Sequence, residues 1–222
     1  MSLEGPLRDG GEAPPALFET MRWAPGSGLI RERLHLERLA RSAAALGIVH
    51  DPVRIRRCLE EIVPSDKDLR IRLTLEPGGE CHLQQSVHEP LAEGTVWRLA
   101  VARTRIAPDD PLIRHKTTRR EIYQRARAEY SAEEVDEVIL LNTRGEVCEG
   151  TITNIFLRGS LGILSTPSVA SGLLPGVLRA GLLAEGTARE ALITRDELED
   201  ATVFVGNSLR GLIPAKMAEF AA

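Results

Sequence analysis

The fold class this sequence predicts is α+β, with two unequal α/β lobes and a cleft between them. Three observations carry it. Strand-like alternations are interleaved with stretches at helical spacing along the whole chain. Residues 106–111 (IAPDDP) hold two prolines and two acids and read as a linker. No internal repeat or low-complexity tract interrupts the pattern. The expected division is a small α+β domain over residues 1–105, a linker over 106–113 and a larger domain over 114–222. A length of 222 residues allows one large domain or two small ones with a real core.

The elements follow in order. Residues 1–15, rich in Gly, Pro and charge, form a loose lead-in. Residues 17–23 (LFETMRW) alternate as a strand, and Pro25-Gly26-Ser27-Gly28 turns the chain into residues 29–33. Leu34, Leu36, Leu39, Ala43 and Leu46 fall near helical spacing, and Gly47 stops that helix. Asp51 is placed to cap a second helix carrying Ile55, Cys58, Leu59 and Ile62, which ends before Pro64. Residues 69–75 form a strand, Pro77-Gly78-Gly79 a turn, residues 81–85 its partner strand and residues 95–103 a third. Beyond the linker, residues 118–130 read as a helix. An apolar run at 138–141 closes in a turn at 142–145, and residues 161–164 add another strand. A Pro/Gly/Ser loop spans 166–175 and a helix 176–189. A helical turn at 196–199 and a strand at 202–205 lead into Gly206-Asn207-Ser208.

Composition sets broad bounds. The hydrophobic share of 43% with 27% charged residues is that of an ordinary globular protein. A net charge of −4 provides no global attraction to nucleic acid or an acidic membrane, so a bound anion must be held by local groups. Cys58, Cys81 and Cys148 lack metal-ligand spacing, and an odd number favours free thiols in a reducing compartment. With no signal-like N-terminus and no long apolar run, the expectation is a cytoplasmic protein that binds no membrane and no metal. Residues 103–127 are dense in Arg, which raises a nucleic-acid surface as a rival reading. The negative net charge, the interrupting acids Asp109, Asp110 and Glu121, and a single aromatic, Tyr123, argue against it.

Candidate chemistry begins at Glu149, a carboxylate at the junction of two β-like runs, followed by Gly150, which permits a close backbone approach. An acid held on strands is what a cofactor needs to keep a ring nitrogen protonated; a solvated strand-end Glu is the other reading. Lys116, beside Arg114, Arg119 and Arg120 at an expected helix start, has cationic neighbours and partial burial that would favour a free amine. A solvated basic helix face is its alternative. His115 reads as a packing or positioning group. The stretch Gly172-Leu173-Leu174-Pro175-Gly176-Val177-Leu178-Arg179 feeds turn chemistry into a helix, which suits a phosphate, though it lacks the Gly-Lys-Ser/Thr of a nucleotide P-loop. Gly206-Asn207-Ser208 offers a second donor set. Arg38 shares a helix face with His35 and can add a cation. A lysine amine, a carboxylate and two Gly-rich turns are the parts required by pyridoxal 5'-phosphate.

Those residues carry a resemblance. LFETMR, HLERLARSAAALGI, HKTTRREIYQRARAE, DEVILLNTRGEVCEGTITNIFL, GLLPGVLR and VFVGNSL resemble, in order, the blocks of the class IV aminotransferase family, the fold-type IV pyridoxal-phosphate enzymes. The likeness extends over residues 17–215. It implies a D-amino-acid-aminotransferase-like fold, a homodimer, and Lys116 as the Schiff-base lysine and proton shuttle. It further implies Glu149 on the pyridinium nitrogen, a phosphate held by Arg38, Val177, Leu178, Asn207 and Ser208, and Arg22 and Arg72 toward a substrate carboxylate. Two departures stand out. Only residues 1–16, with Gly10-Gly11-Glu12, stand where the family carries an N-terminal hairpin and loop, and Cys148 replaces the commoner hydroxyl residue. Within the family the short chain, ETMR and NSLRGLIPA are lyase-like. The first expectation is therefore a lyase converting 4-amino-4-deoxychorismate to 4-aminobenzoate and pyruvate. The alternative is an aminotransferase acting on a branched-chain or D-amino acid, and a degenerate cofactor-binding protein is a third reading.

Overall fold

The computed structural model describes residues 14–159 and 162–219. Most of the expected lead-in, with Gly10-Gly11-Glu12, and the expected strand start at Leu161 lie outside the described residues. The chain divides into two compact units. The first runs through Glu89 and includes His115–Arg119; the second comprises Pro90–Arg114 and Arg120 onward. The expected boundary at residue 105 therefore falls inside the second unit. The strand before the proline-rich segment is a central strand of the second sheet, and hydrogen-bond pairing outweighs the linker-like composition that follows it.

In the first unit, β1 (Leu17–Ala24), β2 (Gly28–Leu29), β3 (Leu69–Leu75) and β4 (Cys81–Val87) form an antiparallel sheet in the order β2-β1-β3-β4. The period-two alternation divides β1 into two faces, with Phe18 buried on the second as well. Leu17, Glu19 and Met21 are buried opposite Leu75, Leu73 and Ile71, while Phe18, Thr20 and Arg22 stand opposite Thr74, Arg72 and Arg70. Two helices, α1 (Glu32–Leu46) and α2 (Pro52–Glu60), accompany the sheet. α1 ends where Gly47 adopts φ 67, a left-handed stop that glycine enters without a Cβ penalty. Asp51 caps α2 as expected, accepting from Val53 N–H at 2.9 Å and Arg54 N–H at 3.3 Å.

The second unit holds an eight-stranded mixed sheet in the order β10-β9-β8-β11-β12-β5-β6-β7. Its strands are β5 (Trp97–Ile106), β6 (Glu137–Asn142), β7 (Val147–Gly150), β8 (Asn154–Arg158), β9 (Leu164–Pro167), β10 (Ala188–Ala191), β11 (Val203–Asn207) and β12 (Gly211–Met217). Its helices are α3 (Glu121–Arg127), α4 (Val177–Ala184) and α5 (Arg195–Asp200). One apolar cluster includes Leu99, Ile139, Val147, Ile155 and Val205; another includes Ala100, Tyr123, Val138, Leu140 and Leu173.

Several elements differ from the sequence expectation: the strand expected at 161–164 is β9, which begins only at Leu164, and β12 has no counterpart in that expectation. α3 starts at Glu121 rather than Thr118, because the preceding residues are extended against the start of β1: Phe18 N–H donates to Lys116 O at 2.9 Å, and Thr118 N–H to Ala16 O at 2.8 Å. α4 stops before Gly186 (φ 72), and residues 188–191 become β10, paired in parallel with β9. The expected loop at 166–175 contains the end of β9 and a 3-10 turn, Val169–Ser171. No helix among the described residues is long and apolar enough to cross a membrane.

Candidate active site

In the second unit, Glu149 lies on β7 opposite Leu140 of β6 and is only 4% exposed. It is not a solvated strand end. Its Oε1 accepts from the Tyr123 hydroxyl at 2.7 Å and from Leu174 N–H at 3.0 Å. Burial, and then the charge of Glu149, push the Tyr123 phenol well above its ordinary range, so it is a protonated donor at neutral pH. Arg120 lies 4.4 Å over the Tyr123 ring and donates to Thr151 O at 2.5 Å.

The turn after Glu149 is organised around Glu137, a fully buried carboxylate at the start of β6. It accepts from Thr151 N–H (3.0 Å), Thr151 Oγ1 (2.5 Å), Ile152 N–H (3.1 Å), Thr153 Oγ1 (2.9 Å) and Val138 N–H (2.9 Å). Five donors offset the cost of burying the acid and fix the backbone that joins β7 to β8. Gly150 allows the approach: a Cβ there would lie 2.7 Å from Glu137 Oε2.

The two Gly-rich turns meet in this unit. Helix α4 begins after Gly176, with no side chain capping its first turn, so it presents backbone N–H groups that have no intrahelical acceptor. A Cβ on Gly176 would strike the side chain of Asn154, whose Nδ2 donates to Leu174 O at 3.0 Å. Gly206 of β11 pairs with the same Asn154, and a Cβ there would lie 2.8 Å from Leu178 Cδ2. Val177 and Leu178 are thus brought beside the turn carrying Asn207 and Ser208. The Asn207 side chain shapes that turn: its Oδ1 accepts from Leu209 and Arg210 N–H at 3.1 and 3.0 Å, and its Nδ2 donates to Ile152 O at 3.2 Å.

In the first unit, Lys116 is partly buried, while the only other lysines of the chain, Lys67 and Lys216, are exposed. It sits on extended backbone rather than at the expected helix start. Its Nζ is 4.5 Å from the Phe18 ring centroid, and the Arg72 guanidinium is 3.9 Å from the same ring. Two cations share one aromatic ring, and each is drawn to its π-face. His115 Nδ1 is 3.0 Å from Ser42 Oγ. Arg22 is paired with Asp68.

Arg38 is buried in an ion pair with Glu19 of β1, donating from Nε to Oε1 at 2.8 Å and from Nη2 to Oε2 at 2.5 Å. His35 Nδ1 is 2.7 Å from Glu19 Oε2. Burial opposes the Glu19 charge, but Arg38 and the hydrogen bond from His35 outweigh it and bring the carboxyl down to about 2. Burial lowers the His35 pKa against the pull of Glu19, so the imidazole is neutral at pH 7 and donates from Nδ1. The His35 and Arg38 helix face was legible in the sequence. In the sequence Tyr123 stands out only as the aromatic of a basic stretch, and Glu137 and Glu19 carry no evident role; their positions on buried-strand patterns are the available signal.

Fold and residues together define an α+β enzyme scaffold. The class IV amino-transferase family model matches residues 16–217, and the chain belongs to that family, whose members are pyridoxal-phosphate enzymes. A crystal structure of a candidate amino-acid aminotransferase from Mesorhizobium loti is 50% identical, with a TM-score of 0.89, covering 91% of this chain and 99% of that one. A candidate aminodeoxychorismate lyase from Schizosaccharomyces pombe is 30% identical over 185 residues, 79% of each chain. A branched-chain aminotransferase from Thermoproteus uzoniensis, crystallised with norvaline, is 26% identical, with a TM-score of 0.77, covering 91% of this chain and 78% of that one. The fold is that of the fold-type IV pyridoxal-phosphate enzymes.

Proposed function

We propose that this protein is a pyridoxal-phosphate-dependent aminotransferase acting on a free amino acid. The observation that carries the choice is the 50% identity to the Mesorhizobium loti candidate aminotransferase across nearly all of both chains. The lyase reading, first on the sequence alone, stands second and rests on the Schizosaccharomyces pombe relative.

The donor set supports the cofactor assignment. One buried carboxylate with two hydrogen-bond donors on a single oxygen, beside an uncapped helix N-terminus and a Gly-rich turn, matches a group with a basic ring nitrogen at one end and a phosphate at the other. Val177 and Leu178 N–H, with Asn207 and Ser208, hold the phosphate, and Arg38 adds a positive charge. Glu149 accepts the hydrogen bond of a protonated ring nitrogen. When bound, pyridoxal phosphate supplies the electron-withdrawing ring that makes a substrate α-proton removable. Lys116 provides the amine that takes up this proton and delivers it again. Arg72, on the same Phe18 ring as Lys116, binds the substrate carboxylate. Arg22, engaged by Asp68, has the weaker claim to that role. A homodimer is part of the proposal.

The test is a half-reaction. Protein saturated with pyridoxal phosphate is mixed with single L- and D-amino acids, and both the visible band and the 2-oxo acid product are followed. Loss of the band with stoichiometric 2-oxo acid establishes the aminotransferase. A band that no amino acid changes, with 4-aminobenzoate and pyruvate formed from aminodeoxychorismate, establishes the lyase instead.

A further inference from the structure

We propose that Tyr123 is a positioning residue for Glu149, and that Arg120 holds Tyr123 in that role through its ring and through Thr151. The inference rests on the assignment of Glu149 to the ring nitrogen and adds a residue that the assignment does not require. Tyr123 is 9% exposed, in the first turn of α3, and its hydroxyl reaches a carboxylate 26 residues away on β7. The same oxygen takes Leu174 N–H, from the segment leading into α4. Two donors from two different elements converge on one carboxylate oxygen. A carboxylate so held cannot rotate about its last torsion without breaking both bonds, and its negative charge is stabilised.

The Tyr123 ring is restrained in turn. Arg120 lies over it at 4.4 Å, and the same guanidinium donates to Thr151 O, in the turn that Glu137 fixes from the other side. The cation over the ring draws electron density from the phenol and strengthens its hydroxyl as a donor. Helix α3 is thereby coupled to the loop that follows Glu149 by a path from the Thr151 carbonyl through the side chains of Arg120, Tyr123 and Glu149. A tyrosine buried only for packing would need no partner on its ring face and any acceptor for its hydroxyl. Here the acceptor is the carboxylate assigned to the cofactor.

The chain has two tyrosines, Tyr123 and Tyr130, and the Tyr130 hydroxyl donates to Val101 O at 3.0 Å, outside this path. A Tyr130→Phe background therefore leaves Tyr123 as the only phenol, and its ionisation can be followed by ultraviolet absorbance without cofactor. The expected result is ionisation well above pH 10, falling by about one pH unit or more when Glu149→Gln is added. An unchanged titration would overturn the contact itself. In the cofactor-loaded enzyme, Tyr123→Phe should keep the fold and the visible band. The pH at which that band titrates should move, and kcat should fall about tenfold or more with little change in KM. Should Tyr123→Phe match wild type in both, while Glu149→Gln shifts the band, the positioning role is wrong and the Glu149 assignment survives. If Glu149→Gln also leaves the band unmoved, the assignment fails, and the positioning role fails with it.

Discussion

Replacing Glu19 by Gln keeps the volume of the side chain but leaves the Arg38 guanidinium buried beside a neutral amide. In the folded protein this carboxyl ionises at about 2 instead of the ordinary 4.5. That difference corresponds to stabilisation on the order of 3 kcal/mol at neutral pH. Breaking a buried ion pair from one side costs a similar amount, about 3–5 kcal/mol. The sign follows from the direction. A carboxylate with a depressed pKa contributes fully above its unfolded value of 4.5 and loses that contribution as pH falls toward about 2. Urea unfolding of wild type and Glu19→Gln at pH 7 should differ in midpoint, with equal slopes. The gap should close progressively as the pH is lowered from about 4.5. On the proposed phosphate role of Arg38, which Glu19 orients, the variant should also bind pyridoxal phosphate more weakly. A variant within about 0.5 kcal/mol of wild type at pH 7, or a gap independent of acid, would refute the reasoning.

Other outcomes follow from the site. Lys116→Ala should abolish turnover and the visible band while leaving the melting temperature close to that of wild type; normal turnover would remove Lys116 from the mechanism. Glu149→Gln should retain some cofactor yet slow proton abstraction about a hundredfold or more, as single-turnover kinetics would reveal. Gly206→Ala places a Cβ 2.8 Å from both Leu178 Cδ2 and Gly211 O, so it should cost about 1–3 kcal/mol and raise the Kd for pyridoxal phosphate. Burial raises the thiol pKa values of all three cysteines, that of Cys81 to about 12. Iodoacetamide at pH 8 should therefore label the folded protein slowly and the urea-unfolded protein fast.

Much of this was readable in the sequence because it is local. Alternation in residues 17–23 and 69–75 gave β1 and β3, Asp51 and Gly47 marked helix ends, and Glu149 with Gly150 announced a carboxylate and a tight approach. What escaped depends on contacts between residues distant in sequence. Tyr123 reaches Glu149, Glu137 gathers Thr151 to Thr153, and Glu19 takes Arg38 from α1; no spacing rule encodes those meetings. The helix drawn through residue 189 followed Leu182 and Leu183 past Gly186, where the left-handed backbone stops it and parallel pairing with β9 makes a strand. β12 contains Pro214, which discourages a strand assignment, and β12 is nevertheless paired with β11 and β5. The two activities also rank in opposite order by short motifs and by overall identity. ETMR and NSLRGLIPA favour the lyase, whereas 50% identity over 91% of the chain favours the aminotransferase.

The most direct test of the central assignment uses borohydride reduction of the protein mixed with pyridoxal phosphate, followed by peptide mass spectrometry. The chain offers only three side-chain amines, on Lys67, Lys116 and Lys216. The account predicts a single stoichiometric pyridoxyl group on the peptide containing Lys116, formed at low cofactor concentration and lost in Lys116→Ala. Stoichiometric labelling elsewhere, or none at Lys116, would contradict it.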